Sequence, residues 1–262
     1  MIGASQADTP FISDTRQQLS LLSCTRLRSL QSLTRDEQYA LDDIALPVTS
    51  VGPHADIVRD GEGTDRLLIV TKGWACRYIT TRNGGRLLSR LLLPGDVANL
   101  DALHFERLDY GVRTITQATI VALPCKQVSV LAAEYSGIAQ AMARLGSIEN
   151  AIVSQLALSL GRRSAAERIA HLLCELSVRL DAERGGESSY AFPLTQEVIG
   201  DALGLTAVHV NRSMRVLQKD GLIALENRYI TIPDSARLRQ VCGFDPSYLH
   251  MGPPADAQGA GV

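Results

Sequence analysis

The stretch Pro193-Leu194-Thr195-Gln196-Glu197-Val198-Ile199-Gly200-Asp201-Ala202-Leu203-Gly204-Leu205-Thr206 constrains this chain more than any other. Thr195 offers a hydroxyl to the free backbone N–H groups of a helix start, and Glu197 in the first turn suits the positive end of the helix dipole. Val198, Ile199, Ala202 and Leu203 give that helix an apolar face. Gly204 ends it, because a helix C-cap favours the left-handed conformation that glycine adopts freely. Thr206 then caps a second helix at once, with Val210, Met214 and Leu217 directed inward. Two helices joined this tightly must cross steeply, which predicts a helix-turn-helix. The outer surface of the second helix carries Ala207, Val208, His209, Asn211, Arg212 and Arg215. In a major groove, arginine pairs bidentately with guanine and asparagine with adenine.

The residues that follow extend the pattern. Asp220-Gly221 ends the second helix, and residues 222–225 and 229–232 are expected to pair across Asn227-Arg228 as a β wing, with Arg228 placed to touch phosphate. Between Thr206 and Ile232, the cations Arg212, Arg215, Lys219 and Arg228 outnumber the carboxylates Asp220 and Glu226. The net charge of -2 over the whole chain neither supports nor excludes such a patch, since a sum hides local fields. With 45% hydrophobic and 21% charged residues the composition is that of a folded globular protein, and 262 residues suit one large domain or two ordinary ones.

Upstream, residues 1–18 are polar and aperiodic and read as a flexible tail. A helical period runs from residue 19 to 44 through Leu27, Leu30 and Leu33 and, after a restart, Tyr39, Leu41 and Ile44. Thr34 with Glu37 three residues on is a capping box for that restart. Between residues 48 and 123, short apolar or β-branched runs alternate with the turn signals Asp60-Gly61, Lys72-Gly73, Asn83-Gly84-Gly85 and Pro94-Gly95-Asp96. That spacing predicts a small antiparallel barrel or roll. After Pro124 the helical period returns. Ile138, Met142, Leu145, Ile148, Ile152, Leu156 and Leu160 form one stripe, which suits a coiled-coil seam between two chains or packing on the chain's own roll. Gly161-Arg162-Arg163-Ser164 breaks that helix, residues 165–180 make another, and residues 181–189 read as a polar loop.

The expected organisation is therefore α+β: a flexible tail (1–18), a β-roll sensor domain with flanking helices (19–135), a dimerisation helix (136–161), a winged helix-turn-helix DNA-binding domain (162–240) and a second flexible tail (241–262). No stretch approaches the roughly 20 apolar residues of a membrane helix, and no leader precedes Arg16, so a cytoplasmic chain without membrane contact is expected. Five scattered cysteines, Cys24, Cys76, Cys125, Cys174 and Cys242, include no CxxC pair and read as buried thiols rather than metal or redox ligands. No cofactor and no metal is expected. Asp96, Asp101, His104, Glu106 and Asp109 make a polar stretch without a nucleophile–base pairing, so an enzyme is not expected.

At this point the chain resembles the Crp/Fnr family of regulators (catabolite activator protein-like). Residues 54–63 and Lys72-Gly73-Trp74 are similar to the opening of a cyclic-nucleotide-binding roll, and Leu92-Leu93-Pro94-Gly95-Asp96 to its central turn. Leu203-Gly204-Leu205-Thr206 through Val210-Asn211-Arg212 resembles the family's recognition helix. The resemblance implies transcription regulation by a homodimer that reads a palindromic site with helix 206–220. Its DNA-binding residues would be Thr195, Gln196, Thr206, Val208, His209, Asn211, Arg212, Arg215 and Arg228. The dimer interface would hold Ile138, Met142, Leu145, Ile148, Ile152 and Leu156. Candidate partners are double-stranded DNA, a second copy and RNA polymerase. A candidate effector pocket comprises Gly95, Asp96, Asn99, Leu100 and Arg113.

The departures carry weight too. Asn99 and Leu100 stand where cyclic-AMP-binding members carry a Gly-Glu pair, and Asp109-Tyr110 where they carry the phosphate-binding Arg-Ser. A carboxylate there repels phosphate. Cys24 stands alone where oxygen-sensing members cluster cysteines around iron and sulfur. The expected effector is neither cyclic AMP nor an iron–sulfur cluster. Two alternatives stay open: a cyclic-nucleotide response through Arg113 in a rearranged pocket, and a winged helix used for protein docking. Val208 also replaces the family's usual acidic residue on the reading helix, so the target need not be the usual palindrome.

Overall fold

The computed structural model describes Leu21, Thr25 and residues 32–251. Residues 1–18, Cys24 and residues 252–262, on which the two tail expectations partly rest, lie outside the described residues.

Thr34 caps α1 (Arg35–Asp42) through the expected box: Glu37 N donates to Thr34 Oγ1 at 3.3 Å and Thr34 N to Glu37 Oε2 at 2.8 Å. Seven strands then build the roll: β1 (Val48–Val51), β2 (Asp56–Val58), β3 (Arg66–Lys72), β4 (Ala75–Thr80), β5 (Arg86–Leu92), β6 (Gly111–Thr114) and β7 (Ala118–Pro124). They form two antiparallel sheets of order β1-β7-β3 and β2-β6-β4-β5. Side chains from facing strands, among them Leu68, Val70, Leu92, Val112 and Ile120, fill the space between. A 3-10 turn (Leu100–Leu103) follows the Pro94-Gly95-Asp96 turn. Then come α2 (Cys125–Glu134), the long α3 (Ser136–Arg162) and α4 (Ala165–Arg179). Ser164 and Glu167 make a second capping box at the start of α4.

Three expectations need correction. The stripe on α3 is spent within the chain: Ile138, Leu145 and Ile152 are buried, while Met142, Ile148 and Leu156 pack against the same cores. Ile138, Leu145 and Ile152, covered within their own chain, are not free to form a seam with a second copy, whereas Met142, Ile148 and Leu156 stay half-buried. The segment read as a polar loop is instead a hairpin, β8 (Glu183–Arg184) and β9 (Glu187–Ala191), turned at Gly185-Gly186 with both φ positive. β9 joins the wing strands β10 (Ala224–Glu226) and β11 (Tyr229–Ile232) in one four-stranded sheet of order β10-β11-β9-β8. Finally, residues 241–251 are not a loose tail. Helix α7 (Ser235–Cys242) is followed by Gly243 in the left-handed region and a 3-10 turn (Pro246–Leu249), with Cys242, Phe244 and Leu249 buried and Tyr248 donating to Glu175.

The roll and the C-terminal half share one core. Trp74, Leu88, Leu91 and Leu93 of the roll pack into the same cluster as Ile169, Leu173 and Leu203. Buried charge reinforces the joint. Arg179 of α4 donates to Asp96 at 2.5 Å and to Leu91 O at 2.8 Å, while Arg90 stands 3.8 Å from the same carboxylate. Cys76, Cys125, Cys174 and Cys242 are free thiols, and Cys174 and Cys242 approach to 4.0 Å inside the domain core. Among the described residues no helix is long and apolar enough to cross a membrane.

Candidate nucleic-acid interface

Helix α5 (Gln196–Leu203) starts where Thr195 Oγ1 accepts from Val198 N at 3.2 Å and stops at Gly204, φ 62 and ψ 40. Helix α6 (Ala207–Lys219) begins three residues after Gly204, with Thr206 Oγ1 accepting from His209 N at 3.3 Å. The turn is close because Gly200 has no side chain: a Cβ there would lie 2.5 Å from Leu205 O. Val210, Ser213, Met214 and Leu217 face inward, and that settles which side of α6 is left for a ligand.

The outer side, with the start of α5, forms an open groove of about 540 Å3. Gln196, Val208, Asn211, Arg212 and Arg215 line it together, as do Ala207, Val216 and Lys219. Three cations and no carboxylate therefore face this surface. Val208 is 76% exposed, an apolar side chain held in water at the front of the helix. Thr195 and Thr206 serve as caps, and His209 is exposed outside the groove lining. Sequence reasoning left Val216 and Lys219 out of the set. The signal was available, since 208, 212, 215 and 219 recur on one helical face.

The wing pairs β10 (Ala224–Glu226) with β11 (Tyr229–Ile232), Glu226 opposite Tyr229. Its two turn residues, Asn227 at φ 50 and Arg228 at φ 62, both have the left-handed backbone of a two-residue hairpin turn. Asparagine tolerates this conformation and glycine prefers it; arginine pays about 1 kcal/mol. The exposed Arg228 is thus held at a turn position that local backbone energetics disfavour.

The five candidate effector residues do not converge. Asp96 is consumed by Arg179, Arg90 and Leu93 N. Asn99 is fully buried and bridges Leu68 N and Arg66 O of β3. Leu100 packs toward α3, and Gly95 closes its turn onto Val70 O. Arg113 is half-buried and donates to His54 O, 3.9 Å from Asp56. Beside α3 lies instead a polar cluster: Arg77 donates to Ala98 O and to Glu149 at 3.0 Å and lies over the Tyr110 ring, whose hydroxyl donates to Asp101. Burial opposes the Arg77 charge, but Glu149, Tyr110 and Asp101 outweigh it and raise its pKa. Burial likewise pushes the Tyr110 phenol up. Asp101 is engaged in this cluster, whereas His104, Glu106 and Asp109 are exposed.

A roll of this topology joined by a long helix to a winged helix-turn-helix with a cationic outer face is the architecture of a DNA-binding regulator. Residues 48–135 match the cyclic nucleotide-binding domain and residues 167–241 the Crp-like helix-turn-helix domain. The chain is 30% identical over 194 residues to the transcriptional activator protein FnrL of Cereibacter sphaeroides, covering 72% of this chain and 77% of that one. It is 24% identical to the anaerobic regulatory protein of Pasteurella multocida, over 84% and 81% of the two chains. The fold is shared with FixK2 from Bradyrhizobium japonicum, with a TM-score of 0.68, 23% identity and 75% and 97% coverage. The chain belongs to the Crp/Fnr family of transcriptional regulators.

Proposed function

We propose that this regulator works as a homodimer reading a two-fold symmetric DNA site, with α6 of each copy in the major groove and half-sites about 34 Å apart. The observation that carries this reading is the groove on α6, where Arg212, Arg215, Lys219, Asn211 and Gln196 meet with no acid among them. Arg212 and Asn211 read base edges, Val208 meets a thymine methyl, and Lys219 and Arg228 hold phosphate. Thr195, Thr206 and His209 position or flank that face. The partner helix packs on the side of α3 opposite the core, where Ala143, Ser147, Val153, Ala157 and Leu158 are exposed. The domain limits follow: a sensor roll to residue 135, a joining helix, and a DNA-binding unit from residue 162 that extends to the buried Leu249.

The effector is not cyclic AMP on this reading. Arg113 is engaged by His54 and Asp56, and the exposed Asp109 stands in place of a phosphate-binding arginine.

Selection from a random DNA pool with the purified chain tests the whole reading, and a symmetric enriched motif is expected. On that motif Arg212→Ala should cost about 1–3 kcal/mol and relax one base position, while a phosphate-holding Lys219→Ala should lower the salt slope by about one. Unchanged affinity and base preference in both variants would falsify the assignment of α6 as the reading helix.

A further inference from the structure

A cavity of about 50 Å3 lies where β5, α3, α4 and α5 meet. Arg90, Ser159, Arg168, His171 and Glu175 reach it, between apolar walls that include Leu91 and Leu203. Arg90 is 5% exposed, and its Nε and Nη1 groups have no hydrogen-bond partner. Its third nitrogen stands 3.8 Å from Asp96, a carboxylate that Arg179 already holds at 2.5 Å. His171 is also buried, and its Nε2 is unpartnered. Burial holds its pKa down at about 4, so at neutral pH the ring is uncharged.

Three other polar groups of the cavity are occupied, Ser159 Oγ accepting from Arg163 at 2.7 Å. Arg168 donates to Arg163 O, Leu203 O and Leu160 O. Glu175 accepts from Arg179 through one oxygen and from Tyr248 through the other. Arg77 pairs with Glu149, and Arg179 with both Glu175 and Asp96, so Arg90 shares a carboxylate that is already held. Two of its three guanidinium nitrogens are left without a partner in a low-dielectric interior, where an incompletely paired ion is strongly disfavoured.

We propose that this cavity binds a small inorganic monoanion, of the size of chloride, nitrite or nitrate, between Arg90 and His171. The volume suits a few waters or one such ion and falls far below the ~300 Å3 of an ordinary small-molecule pocket, which excludes a nucleotide. Its walls come from the roll, the long helix and the first helix of the helix-turn-helix, so the ion sits at the joint that orients the DNA-binding unit. Control of DNA binding through this site rests on the regulator reading above; anion binding does not.

Thermal unfolding of the full chain in rising chloride, nitrite and nitrate tests it. Ionic strength is held constant with gluconate, whose six-carbon chain exceeds the cavity. At least one of the three should raise the melting temperature saturably, as a ligand of the folded state does. In Arg90→Met the half-saturating concentration should rise at least tenfold. Should that variant not fold, His171→Phe crowds the opposite wall, leaves the Arg179–Asp96 pair in place and should abolish the same saturable shift. A response equal to that of gluconate, or one that survives both substitutions, means that water fills the cavity and overturns the proposal. DNA titration with and without the effective ion separates the two readings: absent DNA binding beside an intact melting response counts against the regulator reading alone.

Discussion

His171 illustrates what burial does to a single residue. Its ring lies edge-on to Phe244 at 5.1 Å and stacks on Tyr248 at 6.2 Å, contacts made by a side chain 4% exposed. Its folded pKa near 4 lies below the ordinary 6.5 because burial penalises the charged ring. Between those values the unfolded chain binds more protons than the folded one, so stability falls as pH drops through 6.5 toward 4. Above pH 6.5 the penalty is absent, and below pH 4 it reaches about 3 kcal/mol. His171→Phe keeps an aromatic ring and removes the titration. Urea unfolding from pH 7 to 4 should show wild type losing about 3 kcal/mol more than the variant. Parallel losses would place the acid sensitivity in other groups.

At the scale of the element, the α5–α6 corner depends on backbone approach. Leu205 N donates to Gly200 O at 3.0 Å, and the Leu205 carbonyl occupies the space a Gly200 side chain would need. Relief of a 2.5 Å contact with backbone requires one of the two helices to move. Gly200→Ala is therefore expected to cost about 1–3 kcal/mol by overpacking, and to weaken DNA affinity because Gln196 and Arg212 no longer share one groove. Denaturation and DNA titration on the same preparation check both parts. A variant as stable and as tight-binding as wild type would show the corner to be adaptable.

For the molecule as a whole, the decisive contact is Asp96. It is the carboxylate shared by Arg90 of the roll and Arg179 of α4, with all three side chains at most 4% exposed. Asp96→Asn removes the negative charge and keeps the shape, so about 3–5 kcal/mol of stability should be lost. The surface pair of Arg86 and Asp201 spans the same joint at 2.5 Å, but with side chains 35% and 26% exposed it is worth no more than about 1 kcal/mol. Trp74, the single tryptophan, sits in the shared core and reports the unfolding. A loss below 1 kcal/mol for Asp96→Asn would mean that apolar packing alone holds the two halves together.

Local chemistry determined much of this protein. Thr34 with Glu37, Thr195, Gly204 and Thr206 announce their helix ends because a cap acts within four residues, and the roll is legible in its turn signals and alternating runs. The exposed face of α6 follows from helical spacing once Val210, Met214 and Leu217 are taken as inward. Only the tertiary structure decided which neighbour each apolar stripe would meet. The same spacing on Ile138, Leu145 and Ile152 serves a dimer seam or a roll equally well, and burial chose the roll. The pairing of β9 with β11, and the joining of Asp96 to Arg179 across 83 residues, are likewise invisible locally. A strand's partner and a buried charge's counter-ion are set by long-range packing, on which residues adjacent in sequence carry no information.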